Sequence, residues 1–356
     1  MIATGILTLI ALLLMFLGGL LDGLTGGSTG ALRAQQGELI VYSSNSQDSL
    51  VRSRITPEVR ESVEEAAGGA GVYGLGSVQL GARIDGKGPR DLVAVVLFGY
   101  ESPPRGVPEG APEDGEVYAD RSLEAEGIAV GDEIRLGPAR SPVTVVGFLD
   151  DSRYAGQGTL WGSLDTWRSV LEASRPGERV GDGVVQALLV GGDPSGDTPS
   201  AEAIDRATGG ATSTLTIAEA IDALPGVAQQ QTVFNQIIGV TVIIALVVVA
   251  LFFALITVER TALYGVLKAL GASSGTLFAG VLLQALVVTS IASAIGAAAS
   301  LALDAAIPAG SIPFTTSAGL LLSSAAYLAV AAVIGCAFSL RRVLRVDPAS
   351  AIGGEQ

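Results

Sequence analysis

Residues 237–258 read IIGVTVIIALVVVALFFALITV, and the run stops at Glu259. It carries no charge and is long enough to cross a bilayer as a helix, which takes about 20 residues at about 1.5 Å each. Three further stretches share this property: Ile2 to Leu21, ended by Asp22; Leu277 to Leu303; and Ala318 to Leu340, ended by Arg341 and Arg342. A buried helix in a soluble core explains one such run. Four of them, three within the C-terminal third, make an integral membrane protein. The first run also invites a reading as a signal peptide, but the first basic residue is Arg33, so no basic n-region precedes it. It reads instead as an uncleaved helix, with Gly19, Gly23 and Gly27 spaced for close packing.

Composition agrees. Of 356 residues only 16% are charged, against about 25% in soluble domains. The 35 acidic residues outnumber the 21 basic ones, which argues against a nucleic-acid partner, since phosphate neutralisation needs a basic face. There is no histidine and one cysteine. That removes histidine-based triads, His/Cys zinc sites and any intrachain disulfide. Thirty acidic and 16 basic residues lie within 23–232, so this segment carries the whole excess and the rest of the chain is neutral. Basic residues in short loops set orientation. Arg260 and Lys268 follow the second run, and Arg341, Arg342 and Arg345 follow the fourth, while residues 304–317 have none. Both termini and the second loop are therefore expected in the cytoplasm, with residues 23–232 outside.

The large segment reads as mixed α/β. Glu38–Tyr42, Ser77–Ile84, Leu92–Tyr100, Val117–Ala119, Glu133–Leu136, Val143–Phe148 and Val184–Val190 read as strands, the second and third joined across a turn at residues 85–88. The three short strands near 116–150 have barrel-like spacing. Helices are expected at Pro57–Ala67 with Thr56 as N-cap, at Leu164–Ala173 with Trp167 and Leu171 on one face, and at Ala201–Ala207 and Ile217–Leu224. The polar run Gln229–Thr232 is expected to extend the second membrane helix as a stalk, limited by Pro225.

Several motifs fail on their chemistry. Gly81 to Lys87 fits the start of a P-loop, but Gly88 stands where a Ser or Thr must hold Mg²⁺, so the segment reads as a hairpin turn. Gly26–Gly30 and Gly271–Gly275 match G-x-S-x-G, but no histidine is present to take the serine proton, so both read as Gly/Ser-rich loops. The acidic residues Glu113, Asp114, Glu116, Asp120, Asp132, Glu133, Asp150 and Asp151 lack EF-hand spacing and read as a solvated surface. Gln284 and Ser290 are expected to make hydrogen bonds between membrane helices, and Cys336 to pack. No catalytic, cofactor-binding or metal residue is assigned.

The second loop reads Glu259-Arg-Thr-Ala-Leu-Tyr264-Gly265-Val-Leu267-Lys268-Ala-Leu270-Gly271-Ala-Ser273. It is a short helix with Tyr264, Leu267 and Leu270 on one side and Gly271 as C-terminal cap. It resembles the loop E-R-x-x-E-[IL]-G-[VI]-L-[KR]-A-L-G-A-[ST] of the FtsX-like, or MacB-type, ABC transporter permeases. Their ending R-R-x-x-[RK]-[VIL]-x-P-x-x-A-[LI] is likewise similar to Arg341, Arg342, Arg345, Val346, Pro348, Ala351 and Ile352. The resemblance extends over the chain in layout and is specific across about residues 230–352. Leu263 stands where the family has a second glutamate, which shifts or removes one polar contact. The family also usually has a basic amphipathic helix before its first span; either the true start lies upstream of Met1 or this member lacks that helix, and the upstream start is the expectation.

What the resemblance implies is a four-helix membrane protein with a large mixed α/β extracytoplasmic domain between helices 1 and 2. Transmembrane helices are expected at 1–22, 233–258, 277–303 and 318–340, the extracytoplasmic domain at 23–232, a coupling segment at 259–276, an outer loop at 304–317 and a tail at 341–356. The chain would be a non-enzymatic permease subunit of the cell membrane, without a cofactor. Its partners would be the lipid bilayer, a separate cytoplasmic ABC ATPase, a second permease copy and an extracytoplasmic client or accessory protein. Glu259, Arg260, Tyr264, Gly265, Leu267, Lys268, Leu270 and Gly271 would couple to the ATPase, with Arg341, Arg342, Arg345 and Pro348 as cytoplasmic anchor. Export is the expected role; regulation of an outside partner such as a cell-wall hydrolase is the alternative.

Overall fold

A computed structural model describes residues 2–84, 88, 91–108, 112–177, 180–191, 199–307 and 312–343. In chain order the elements are α1 (Ile2–Arg33), β1 (Leu39–Ser43), α2 (Pro57–Ala67), β2 (Gly71–Arg83), β3 (Val93–Tyr100), β4 (Glu116–Asp120), β5 (Glu133–Leu136), β6 (Ser141–Leu149) and β7 (Gly158–Ser163). They continue with α3 (Leu164–Ser174), β8 (Ala187–Gly191), α4 (Ala201–Ala207), β9 (Thr212–Thr216), α5 (Ile217–Asp222), α6 (Val227–Glu259), α7 (Thr261–Ala269), α8 (Ser274–Ala306) and α9 (Ala318–Val343). The chain divides into two compact units, Leu24–Gln229 and the remainder.

In the inserted unit, β2 is the organising strand. Its residues Leu75–Ala82 pair antiparallel with Tyr100–Val93 of β3, and its start, Gly71–Leu75, pairs with Gly191–Ala187 of β8. One strand therefore serves two sheets. Pairings β2–β3, β3–β7, β7–β4, β4–β6, β6–β5 and β5–β2 return to their start, so six strands close a small barrel. Closure removes the exposed edges that a six-stranded sheet would otherwise present. The barrel is filled by Val78, Ala82, Val95, Leu97, Val117, Ala119, Ile134, Val143, Val145 and Leu160, and α3 adds Trp167 and Leu171 to the same cluster.

The second sheet runs β2–β8–β1–β9. Leu39 and Val41 of β1, with Leu188 and Val190 of β8, join the core formed with Val63 of α2 and Ile204 of α4. The alternate residues Ile40, Tyr42, Ala187 and Leu189 pack with Ala31 and Leu32 of α1 and Ala220 of α5. Because both faces are covered, the strands read as unbroken apolar runs instead of alternating ones. The expected strands are found with shifted ends; β7 and β9 are additions. The β2–β3 turn falls on residues 85–87 and 89–90, outside the described residues, as do residues 192–198.

The open edge of this sheet is β9, and carboxylates cover it. Asp205 accepts from the Thr214 backbone N–H at 3.1 Å and from the hydroxyls of Thr212 and Thr214 at 2.8 and 2.6 Å. Glu219 accepts from the Thr216 N–H at 2.9 Å within a capping box that starts α5. Asp205→Ala leaves these donors without their acceptor, which costs about 1–3 kcal/mol for a buried group. We expect a lower urea midpoint, faster amide exchange at Thr214 and concentration-dependent self-association through the bared edge. Unchanged exchange at Thr214 would show that the edge is protected by other means.

The acidic surface expected around residues 113–151 is corrected at one position. Asp120 is buried, accepting from Ser122 N–H at 3.0 Å and from Ser152 N–H and hydroxyl at 2.9 and 2.7 Å. It is a structural hub between β4 and the β6–β7 turn.

In the membrane unit, α1, α6, α8 and α9 are each long and apolar enough to cross a membrane. Glycines set the closest approaches, as small residues do where no hydrophobic force separates helix from lipid. Gly19 and Gly23 of α1 lie against Phe314 and the Pro313 carbonyl, and the Thr315 N–H donates to the Gly19 carbonyl at 3.1 Å. A Cβ on Gly335 of α9 would lie 3.1 Å from the Leu246 carbonyl of α6. Cys336 is buried in this packing. Gln284 and Ser290 are exposed, so the expected bonds between helices are absent at these two; the buried hydroxyls of α8 are Thr289, Ser293 and Ser300.

One expectation fails instructively. Gly26–Gly30 is helix, because α1 continues to Arg33 instead of ending in a loop. Each helical glycine costs about 1 kcal/mol against alanine, so tertiary contacts must compensate.

Candidate coupling site

The segment joining α6 to α8 is short and fixed at both ends. Only Arg260 separates α6 from α7. At the far end the Gly271 N–H donates to the Lys268 carbonyl at 3.0 Å and the Ala272 N–H to the Leu267 carbonyl at 2.9 Å. This paired closure is the Schellman motif, and it requires a left-handed residue; Gly271 has φ +95°. Ser273 then caps α8, its hydroxyl accepting from the Thr276 N–H at 3.1 Å.

Among the described residues of this segment, Leu263, Val266 and Leu270 are exposed large apolar side chains, the last 79% exposed. Their i, i+3, i+7 spacing puts them on one face of the helix and its cap. Of the face expected from sequence, Leu270 is exposed and Leu267 half-buried, as are Gly265 and Lys268, while the side chain of Tyr264 lies outside the described residues. Glu259 and Arg260 are exposed beside the stripe. Leu263 and Val266 are not among the coupling residues expected from sequence, yet their i, i+3 spacing is readable there. Arg341 and Arg342 fall in the last turn of α9, whereas Arg345 and Pro348 lie outside the described residues.

A second constellation joins the end of α1 to the β6–β7 turn, within the inserted unit. The Gly156 N–H donates to the Gly27 carbonyl at 2.9 Å, the Ala155 N–H to the Ser28 carbonyl at 3.0 Å, and the Ala31 N–H to the Arg153 carbonyl at 3.0 Å. Arg33 pairs with Asp151 at 3.1 Å. A Cβ on Gly30 would lie 2.5 Å from the Asp151 carbonyl oxygen, so the contact excludes any larger residue. Beneath it lies an aromatic cluster in which Phe98 stacks on Trp161 at 4.5 Å and meets Tyr154 edge-on at 5.3 Å.

Burial raises the phenol pKa of Tyr154, and with it that of Tyr100, to about 12. Tyr42 is raised by burial first, then by Tyr154 and Asp48. A raised folded-state pKa gives stability that is complete below the unfolded value, near 10. That stability is lost as pH rises through the folded value. The domain's urea midpoint is therefore expected to fall between about pH 10 and 12, and Tyr154→Phe to flatten that fall. A flat midpoint across this window would count against these phenols being neutral and buried.

Among the described residues no cluster of three or more His, Cys, Asp or Glu side chains could hold a metal ion.

Residues 235–348 match the family model described as FtsX-like permease C-terminal. Putative hemin transport system permease protein HrtB of Staphylococcus epidermidis is 24% identical over 246 residues, covering 69% of this chain and 65% of that protein. The protein of the same description in Staphylococcus haemolyticus is 31% identical over 127 residues, 36% of each. This chain thus spans 65% of the length of the first of these relatives. Among solved structures, the extracellular domain of the noncanonic ABC-type transporter YknZ from Gram-positive bacteria aligns with 50% of this chain and 99% of its own, at 14% identity and TM-score 0.32. The periplasmic region of MacB from Actinobacillus actinomycetemcomitans aligns with 51% and 89%, at 10% identity and TM-score 0.35.

Proposed function

We propose that the chain is the permease subunit of an ABC transporter, working as a pair of copies with a separate ATPase docked on α7. In this reading α7 and both termini face the cytoplasm, and the inserted domain lies outside. The observation that carries it is the Leu263–Val266–Leu270 stripe on a helix fixed between two membrane-length helices. An apolar stripe beside charged rim residues suits a soluble partner, and short links on both sides pass a displacement of α7 into α6 and α8. Buried polar side chains among the described residues of the membrane unit are hydroxyls, namely Thr241, Thr289, Ser293, Ser300 and Ser324. That favours a transmitter of motion over a charged conduit. Export of a client is the proposed outcome.

The relatives' description includes hemin. That cargo belongs to the relatives' description and is not assigned to this chain.

The test is affinity purification of the tagged chain from its own host, with bound subunits identified by mass spectrometry. An ABC-type ATPase is expected, and Val266→Glu should cut its recovery by about ten-fold or more, as loss of an interface anchor does. Absence of an ATPase, or unchanged recovery, would sink the reading. If the ATPase is present but export is unaffected in a deletion strain with an altered cell wall, the regulatory role replaces transport.

A further inference from the structure

The two membrane helices that border the inserted domain are attached to it in different ways. The geometry points to α1 as the helix that drives the domain, with Gly27, Ser28, Gly30, Ala31 and Arg33 on the 151–156 turn as the coupling contact, while α6 is joined through a slack hinge. This rests on the proposed function, and it assigns which helix does the mechanical work.

The α1 side is stitched. Three backbone hydrogen bonds of 2.9–3.0 Å and one ion pair join helix and turn, and Ala31 and Leu32 are fully buried in the domain core. Helix and turn touch at Gly30, where nothing larger than hydrogen fits. The turn holds non-glycine residues at positive φ, Asp151 at +54° and Ala155 at +50°. Such conformations cost about 1–3 kcal/mol each and persist only where surroundings enforce them. The turn is the direct link between β6 and β7 of the barrel, so it passes displacement to paired strands and not to a free loop. A continuous helix from Ile2 to Arg33 is stiff along its axis, so motion entering at its membrane end arrives at this contact.

The α6 side is jointed. Between α5 and α6 stand Ala223, Leu224, Pro225 and Gly226. Proline lacks a backbone donor, and Gly226 has φ +85° with open space where a Cβ would stand. Such a dipeptide interrupts helical stiffness, so axial or twisting motion of α6 is taken up locally.

The experiment uses the full chain, co-purified with its ATPase in nanodiscs, in a Cys336→Ala background. Spin labels at Val130→Cys and Ile312→Cys, both exposed positions, report the distance between barrel and membrane unit with and without ATP-vanadate. A Gly-Gly insertion between Thr25 and Gly26 should reduce the nucleotide-driven change by about five-fold or more, a typical coupling magnitude. The same insertion after Gly226 should leave it within about two-fold, since it lengthens a link whose helical continuity Pro225 and Gly226 already interrupt. Gly30→Val should act like the α1 insertion without altering helix length. Trp161 and Trp167 are the chain's two tryptophans and both are buried in the inserted domain. An unshifted emission spectrum therefore certifies that each variant's domain is folded. Equal losses from the two insertions, or a larger loss at Gly226, would overturn the inference while leaving the permease reading intact. No nucleotide-driven change in the unaltered complex would overturn that reading, and the inference with it.

Discussion

Leu270→Asp is expected to abolish stimulation of the ATPase by the permease, by about 30-fold, while the permease itself folds and inserts normally. Leu270 is the most exposed of the three stripe residues and sits at the C-cap of α7. Its replacement therefore removes little intramolecular contact. A partner that buries this side chain loses an apolar anchor and must desolvate a carboxylate in its place. Loss of such an anchor commonly costs about 2 kcal/mol or more, which corresponds to about 30-fold in affinity. Gly271→Val tests the same site through the backbone. It forces a β-branched residue to φ +95°, with no steric neighbour within 4 Å of the added Cβ, so its effect is confined to the turn that orients α7 against α8. The checks are ATP turnover of the reconstituted complex and size-exclusion profiles of the permease alone. Normal turnover in both variants would remove α7 from the coupling path.

The largest effect on stability is expected at Trp167. Its side chain is fully buried in the barrel-side core, against two glycines of adjacent strands. A Cβ on Gly76 or on Gly99 would lie 2.5 Å from Trp167 atoms, so these positions are empty because the indole fills them. Trp167→Ala leaves a cavity that rigid paired strands cannot close, at a cost of about 3–5 kcal/mol. Gly99→Val attacks the same contact by overpacking, at about 1–3 kcal/mol. The indole N–H is buried without a partner. Trp167→Phe therefore loses area but relieves an unsatisfied donor, and should cost markedly less than alanine. Urea unfolding followed by Trp161 emission measures all three; equal midpoints for Ala and Phe would contradict the packing argument.

The four membrane helices were legible because charge-free length is a local property of sequence. So was the C-terminal cap at Gly271, since only a left-handed position explains glycine between a leucine-rich turn and Ala272. Barrel closure was not legible. It depends on the parallel β3–β7 and β4–β6 pairs, which join residues far apart in sequence, and on β7, whose sequence GTLWGS carries two glycines. The outer part of α1 was hidden for a related reason. Gly23, Gly26, Gly27 and Gly30 argue locally for a loop, but Gly23 and Gly30 each lie against another backbone, and a side chain on either would prevent the contact. At α7 the residues are legible, but which apolar side chains stand exposed depends on packing: Leu263 and Val266 are exposed, whereas Leu267 is half-buried.

The dual membership of β2 also sets an order of events during synthesis. All six barrel strands lie between Gly71 and Ser163, so the barrel has every strand it needs early. The second sheet must wait for β8 and then for β9, which ends at Thr216, while α6 begins at Val227. At about 5–20 residues per second, the ribosome crosses that interval in about half a second to two seconds. The sheet's last strand and the next membrane helix thus leave the ribosome almost together. Half of the inserted domain can ripen on a single tether, but the other half is completed only when the nascent chain is about to be anchored at its second end. A slow β9 would be trapped between two fixed points, which gives the carboxylates along that strand a role in its prompt docking as well as in its protection.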